Sequence, residues 1–442
     1  MLWTPGCQVY ALAHFCKSLV WHASGLLFAF FLTEVCDLRP MSMGLVLGGS
    51  LIGHALADLA IGGALRHRIG SARAAGRAQW QWAPLSGVFF VLFALTPWVS
   101  PPWRIGFAAA TLVGFRFTYA LVDVPLNAMV ALLAATSQAQ ARLLAVRNML
   151  SGAANLLIAW TGASLLLRHG DAPNGYLAGT IVIAAAMIGS ARWLRVTELP
   201  ESARAGSGSA MRAPGAGSPA IGPMLCVVAM LVFGHTAFRA MEPYAAAFAG
   251  GGGALMIWGA TGSIVSQPLW VAARAPLGER GAALAAGAAA AAGAVLLLGP
   301  ARGSAAGMAL AGLCFGVATG GLWLTLWTVA VRAAAAGGGT WSIALLTATS
   351  KAAQGAAAIC LGWILGRGDY HATFADPLSP PALLMTGALG LIALCGVALA
   401  LSRTARGEGS SPPRPAARPV RDRAVRRRGS SPARGRRAAR AG

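Results

Sequence analysis

The sequence predicts an all-α membrane protein with twelve transmembrane helices in two pseudo-symmetric six-helix halves, and three observations carry that prediction. First, 56% of the 442 residues are hydrophobic and only 11% are charged, with a mean hydropathy of +0.63. A water-soluble chain of this length carries about a quarter charged residues, so this one cannot cover a water-facing surface. Second, the apolar residues gather into stretches of about 20, the length a helix needs to cross the hydrocarbon core. Third, the polar segment 195–220 (RVTELPESARAGSGSAMRAPGAGSPA) is rich in Gly, Ser and Pro and divides those stretches six and six.

In chain order, spans are expected at 6–32, 41–65, 82–99, 104–135, 146–167 and 176–194, then at 221–248, 253–273, 281–299, 305–331, 341–365 and 381–402. Cations punctuate them on alternate sides. Arg66, Arg68, Arg73 and Arg77 follow the second span, and Arg142 and Arg147 follow the fourth. Arg195, Arg204 and Arg212 lie in the linker, Arg274 and Arg280 follow the eighth span, and Arg332 follows the tenth. The opposite loops are short and cation-poor, such as 100–102 (SPP) and the glycines at 250–253. Because cytoplasmic loops carry the excess of Lys and Arg, both termini are expected in the cytoplasm of a bacterium, with the chain in its inner membrane. The 57 glycines suit helices that pack closely in lipid. The organisation expected is a first half at 1–194, a cytoplasmic linker at 195–220, a second half at 221–402 and a disordered basic tail at 403–442. This layout resembles that of the major facilitator superfamily.

An ionisable side chain at membrane depth costs on the order of 3 kcal/mol on insertion scales, so each one needs a partner or a task. The chain has two lysines, Lys17 and Lys351, and both fall inside spans. Steps of three and four residues put His14, Lys17, Ser18, Trp21, His22 and Gly25 on one stripe of the first span. His54 and Asp58 share a face of the second span, and Arg116, Tyr119, Asp123 and Asn127 share one of the fourth. His235, Arg239 and Glu242 mark the seventh, where Arg239 and Glu242 can pair at i,i+3; Thr347, Ser350, Lys351 and Gln354 align on the eleventh. One such stripe can be hydrogen-bonding glue between helices. Five together point to a translocation path.

The fourth span and the loop after it read TYALVDVPLNAMVALLAATSQAQARLLAVR. This resembles the glycoside–pentoside–hexuronide:cation symporters, whose fourth helix carries a Tyr-Thr-x-x-Asp-Ile-Pro-like segment followed by Arg-Leu-x-x-x-Arg. Asp123-Val124-Pro125 and Arg142-Leu143 with Arg147 stand in those places. FFLTEVCDL (30–38) is similar to the family's segment at the end of helix 1, Asp58 falls on the second helix-2 aspartate, and SKAAQGAAAICLGWILG supplies the helix-11 lysine as Lys351. The resemblance implies a secondary transporter of a small, sugar-like polar solute. Its substrate would meet Lys17, Ser18, Trp21, Tyr119, Asp123, Asn127 and Arg147, and His54, Asp58 and Lys351 would couple transport to a cation.

The family's cation cage draws oxygens from positions that here hold His54, Ala57, Asp58 and Ala120. A hard cation needs several oxygen ligands, whereas a proton needs one carboxylate or imidazole, so a proton is the expected coupling ion and sodium is disfavoured. The helix-1 acid that would meet a sugar is Ser18, and the aromatic residue four after the helix-4 aspartate is Asn127. Efflux of a small metabolite or drug is the other transport reading. The sequence contains no DDxxD, GxSxG, HExxH or Walker motif, so a membrane enzyme is a remote alternative and no cofactor or metal is expected. The net charge of +22 is not a nucleic-acid signature, because residues 403–442 hold thirteen Arg against Glu408 and Asp422 and account for half of it. That tail reads as a solvated topology determinant, with the lipid bilayer as partner and the protein a monomer. The seven cysteines lack metal spacing, most of them lie in apolar stretches and read as buried thiols, and no cleavable signal peptide is expected. Reporter fusions at Gly70, Ser207 and Arg428 should all report cytoplasm; a signal from the other side at any of them contradicts the topology.

Overall fold

The computed structural model describes residues 4–65, 69, 71–133, 137–166, 172–199, 221–251, 253–333 and 339–402, and the described residues form helices and no strand. Most of the expected linker and all of the expected disordered tail lie outside them. Helix α1 (Pro5–Leu26) starts on a proline, which is preset for a first turn where its missing N–H costs nothing. It continues after a 51° bend as Phe28–Val35, ending in a wide turn closed by Cys36 N–H donating to the Phe31 carbonyl at 2.9 Å. Then follow α2 (Pro40–Leu65), α3 (Ala72–Ala94), α4 (Pro101–Leu133), α5 (Ser137–Thr161, prolonged through Leu166) and α6 (Ala172–Val196). Ser71 caps α3 by accepting from the Ala74 N–H at 3.2 Å.

The second half opens with α7 (Ile221–Phe248) and an unbroken 45-residue run, Ala254–Leu298. Gly278 sits in that run at φ 65, a left-handed conformation only glycine takes without strain. It divides the run into α8 (254–277) and α9 (279–298). Helix α10 (Ala305–Ala333), α11 (Gly339–Leu365), a short turn Tyr370–Thr373 and α12 (Pro380–Leu401) complete the half. Seven of these runs are long and apolar enough to cross a bilayer alone, and bent α1 makes an eighth. Dividing the α8–α9 run and adding the more polar α3, α5 and α11 gives the twelve spans.

The boundaries depart from the sequence expectation in three places. The third span, expected at 82–99, begins at Ala72 and ends at Ala94; Arg73, Arg77, Gln79 and Gln81 make its first turns polar and hide them from a hydropathy reading. The fifth, expected at 146–167, begins at Ser137 for the same reason, with Gln138, Gln140 and Arg142 inside the helix. The loop expected between spans eight and nine is helix except at Gly278, so Arg274 and Arg280 lie on helix.

Packing repeats with a shift of six helices. In the first half α1 packs on α5 and α6, α3 on α4 and α6, and α2 on α4. In the second α7 packs on α11 and α12, while α10 and α12 pack on the α8–α9 run. Between halves the pairs are α2 with α11 and α5 with α8, which exchange under the same shift. The α2–α11 seam is backbone on backbone: a Cβ added at Gly362 would lie 2.5 Å from the Pro40 carbonyl oxygen, and one at Gly48 2.7 Å from that of Gly355. Small residues spaced by fours allow such approach in lipid, where apolar attraction between helices is weak.

With the linker joining α6 to α7 at one end of the bundle, the turns at 36–39 and 366–379 lie at the far end. Contacts there cross between halves. The Thr33 and Tyr244 hydroxyls lie 2.8 Å apart, Tyr370 donates to Glu34 Oε1 at 2.6 Å, and His371 Nε2 lies 2.9 Å from Glu34 Oε2. Burial and the bond to Glu34 raise the Tyr370 phenol above its ordinary pKa.

Candidate functional site

The polar stripes converge halfway along the bundle. Lys17 on α1 and Asp123 on α4 form an ion pair, and Asn127, one turn after Asp123, donates to Asp123 Oδ2 at 2.9 Å. Lys17 Nζ also reaches Asn127 Oδ1 at 3.5 Å. This is a first-half arrangement. The second ion pair crosses between halves: Lys351 of α11 bonds Asp58 of α2 and lies 2.8 Å from His54 Nε2. His54 Nε2 is in turn 3.4 Å from Asp58 Oδ1. The lysine side chains are 6% and 9% exposed and the aspartates 18% and 11%, so both pairs are largely withdrawn from solvent. Pairing is what makes such burial tolerable.

An aromatic group joins the two pairs. Trp21 stacks on Tyr119 with ring centroids 6.1 Å apart, and His54 meets Trp21 and Tyr119 edge-on, each at 6.2 Å. Two cations approach the Trp21 ring, Arg116 at 5.7 Å and Lys351 at 5.9 Å from its centroid, which attracts them through its quadrupole. Tyr119 also donates to the Lys17 carbonyl at 3.2 Å, which ties α4 to α1 beside the first pair. Pro125, two residues past Asp123, lies within α4 and removes a backbone donor there.

Of the sequence-predicted residues, Lys17, Trp21, Tyr119, Asp123 and Asn127 lie in one group, and His54, Asp58 and Lys351 in the adjoining one. Ser18 stands apart, because its hydroxyl is spent on the His14 carbonyl one turn back, at 2.7 Å. Arg147 is half-buried on α5, while Asp123's bonds go to Lys17 and Asn127. The first-span stripe also divides: His22 turns to α5 and lies 3.0 Å from the Ser151 hydroxyl.

A third buried group was recognised only in part, as the Arg239–Glu242 pair. Arg239 on α7 donates to Glu242 at 2.8 Å, the pair its spacing suggests, and also reaches across the halves to Asn155 Oδ1 on α5 at 2.5 Å. An asparagine in an apolar stretch was the available signal for Asn155. The far-end group of Glu34, Tyr370 and His371 had no comparable signal, since 366–379 carries no helical periodicity.

The family model for MFS/sugar transport proteins matches residues 9–403. Among solved structures, the inward-open xylose transporter XylE from E. coli superposes with a TM-score of 0.63 at 14% identity, covering 88% of this chain and 94% of that one. A crystal structure of a D-xylose–proton symporter gives 0.63 at 15% identity, covering 88% and 96%. A bacterial homologue of the human lysosomal transporter Spinster, inward-facing and unoccupied, gives 0.58 at 13%, covering 90% and 95%. At these identities the likeness is one of fold, that of MFS transporters. No curated protein sequence matches.

Glu242 is fully buried and Arg239 compensates it. Arg239→Met should therefore cost about 3–5 kcal/mol, the usual loss when a buried ion is left without its partner. The double variant Arg239→Met/Glu242→Gln should recover most of that loss in thermal unfolding of the purified protein. Equal melting of wild type and single variant removes the pair as a structural element.

Proposed function

We propose that this chain, which belongs to the MFS/sugar transport protein family, carries a small polar solute across the bilayer together with a proton. It is a transporter and not an enzyme. The finer reading is a symporter akin to the glycoside–pentoside–hexuronide group, with both termini in the cytoplasm. The observation that carries it is the ion pair between Lys351 and Asp58, with His54 beside both. Those two charges belong to different halves, and alternating access requires the halves to rock about a central site.

In this reading Asp58 is the proton carrier. Protonation removes the charge that Lys351 compensates, and the lysine is then free to change partners as the halves move. A ligand or proton shifts a two-state equilibrium only by binding one state better, and an ion pair present in one arrangement and absent in the other supplies that difference. His54, within reach of both Lys351 and Asp58, relays the proton. The surroundings of Asp58 favour a proton over sodium: its near neighbours are the nitrogens of Lys351 and His54, not the several oxygens a hard cation takes.

The solute would bind at the neighbouring group. Asp123, Lys17 and Asn127 exchange their mutual hydrogen bonds for bonds to the solute, Arg147 adds a positive field, and Trp21 and Tyr119 form the wall toward Asp58. Ser18 joins them only if its hydroxyl leaves the His14 carbonyl. In proteoliposomes, Asp58→Asn should abolish accumulation driven by an imposed pH gradient and leave counterflow exchange of solute intact. Gradient-driven accumulation in that variant, or an absolute sodium requirement in the wild type, overturns proton coupling through Asp58.

A further inference from the structure

A cavity of about 470 Å³ lies away from the charged cluster, enclosed by α1, α3, α5 and α6 in the half of the bundle toward the far end. Its walls include Phe28 and Phe31 of α1, Phe93 of α3, Ile158 of α5 and Ile183 of α6. The two threonines in the lining are already engaged: Thr161 donates to the Leu157 carbonyl at 2.7 Å and Thr180 to that of Tyr176 at 2.6 Å. The Tyr176 hydroxyl is buried behind the wall, so the ring and not the oxygen faces the cavity, and the surface offered to an occupant is apolar.

The dimensions select the occupant. From Tyr176 to Ala186, both in the lining, α6 rises about 15 Å at 1.5 Å per residue. That is one leaflet of a hydrocarbon core about 30 Å thick. Tyr176 sits one turn inside the start of α6, near the depth where tyrosines mark the membrane interface and where the oxygens of a lipid's ester linkages lie. Beside the cavity, Leu157 and Val182 present large apolar side chains outward, 42% and 67% exposed, as lipid-facing residues do. Gly179 in the lining has open space where a Cβ would stand, so small residues of α6 leave a side entrance between α5 and α6.

We propose that this cavity takes one acyl chain of a bilayer phospholipid. The chain lies along α1 where that helix bends between Leu26 and Phe28, so its presence or absence bears on a segment linking Lys17 to Glu34.

Phosphatidylcholine carrying a diazirine in its acyl chain, mixed into nanodiscs that hold the full-length protein, tests this. After irradiation, adducts mapped by mass spectrometry should be enriched on the lining residues of α5 and α6 over the exposed Val295 and Leu401 of α9 and α12. Gly179→Leu fills the cavity without a backbone clash and should remove the enrichment while labelling of the outer surface persists. Uniform labelling of all lipid-facing helices, or unchanged enrichment in Gly179→Leu, overturns the proposal. So does enrichment with a free diazirine fatty acid but not with the phospholipid.

Discussion

A charge inside hydrocarbon must be matched by an opposite one or given up, and this molecule is arranged around that demand. Two lysines and two aspartates meet at mid-bundle as two pairs, Lys17 with Asp123 and Lys351 with Asp58. The first pair closes within one half, so it persists whatever the halves do relative to each other. The second exists only while α2 and α11 are together. A buried pair contributes little net stability but is costly to break on one side, which makes it a good latch and a poor staple.

The remainder of the seam is compatible with a latch. Gly44, Gly48, Gly355 and Gly362 let the α2 and α11 backbones touch, with Ile359 packed over Gly48 and Ile52 over Gly355. Arg239 to Asn155 adds a second polar tie between halves. At the far end Glu34, held by Tyr370 and His371, closes the same seam with groups that water can reach, since the His371 side chain is half exposed. These polar ties sit beside apolar packing between the halves, where the Phe30 ring of α1 meets Tyr244 and Phe248 of α7.

Much of this was legible in the sequence because lipid simplifies the code. Apolar stretches gave the helices, the polar segment at 195–220 separated six from six, and rare ionisable residues inside spans singled out Lys17, His54, Asp58, Asp123 and Lys351. Helical spacing put His54 and Asp58 on one face, and they do share it. What stayed hidden follows from what spacing cannot encode. Periodicity says which face a residue occupies but not which neighbour it meets, so Ser18, on the stripe, spends its hydroxyl on its own helix. Amphipathic starts, as in α3 and α5, look like loops to a reading based on hydropathy. Gly278 alone turns the chain between α8 and α9, and among 57 glycines nothing in the sequence distinguishes it. The α1 bend and the cavity beside it depend on how four helices pack, which no single stretch records.

The central claim is that the charge on Asp58 ties the two halves together and that protonation releases them. Its most direct measurement is the distance across the far end, between spin labels at Trp103 in the first half and Leu378 in the second, 73% and 70% exposed, followed as pH is lowered. The account predicts one short distance for the wild type at alkaline pH, a growing longer component on acidification, and that longer component at every pH in Asp58→Asn. A variant that keeps the single short distance, or that responds to pH as the wild type does, would contradict it.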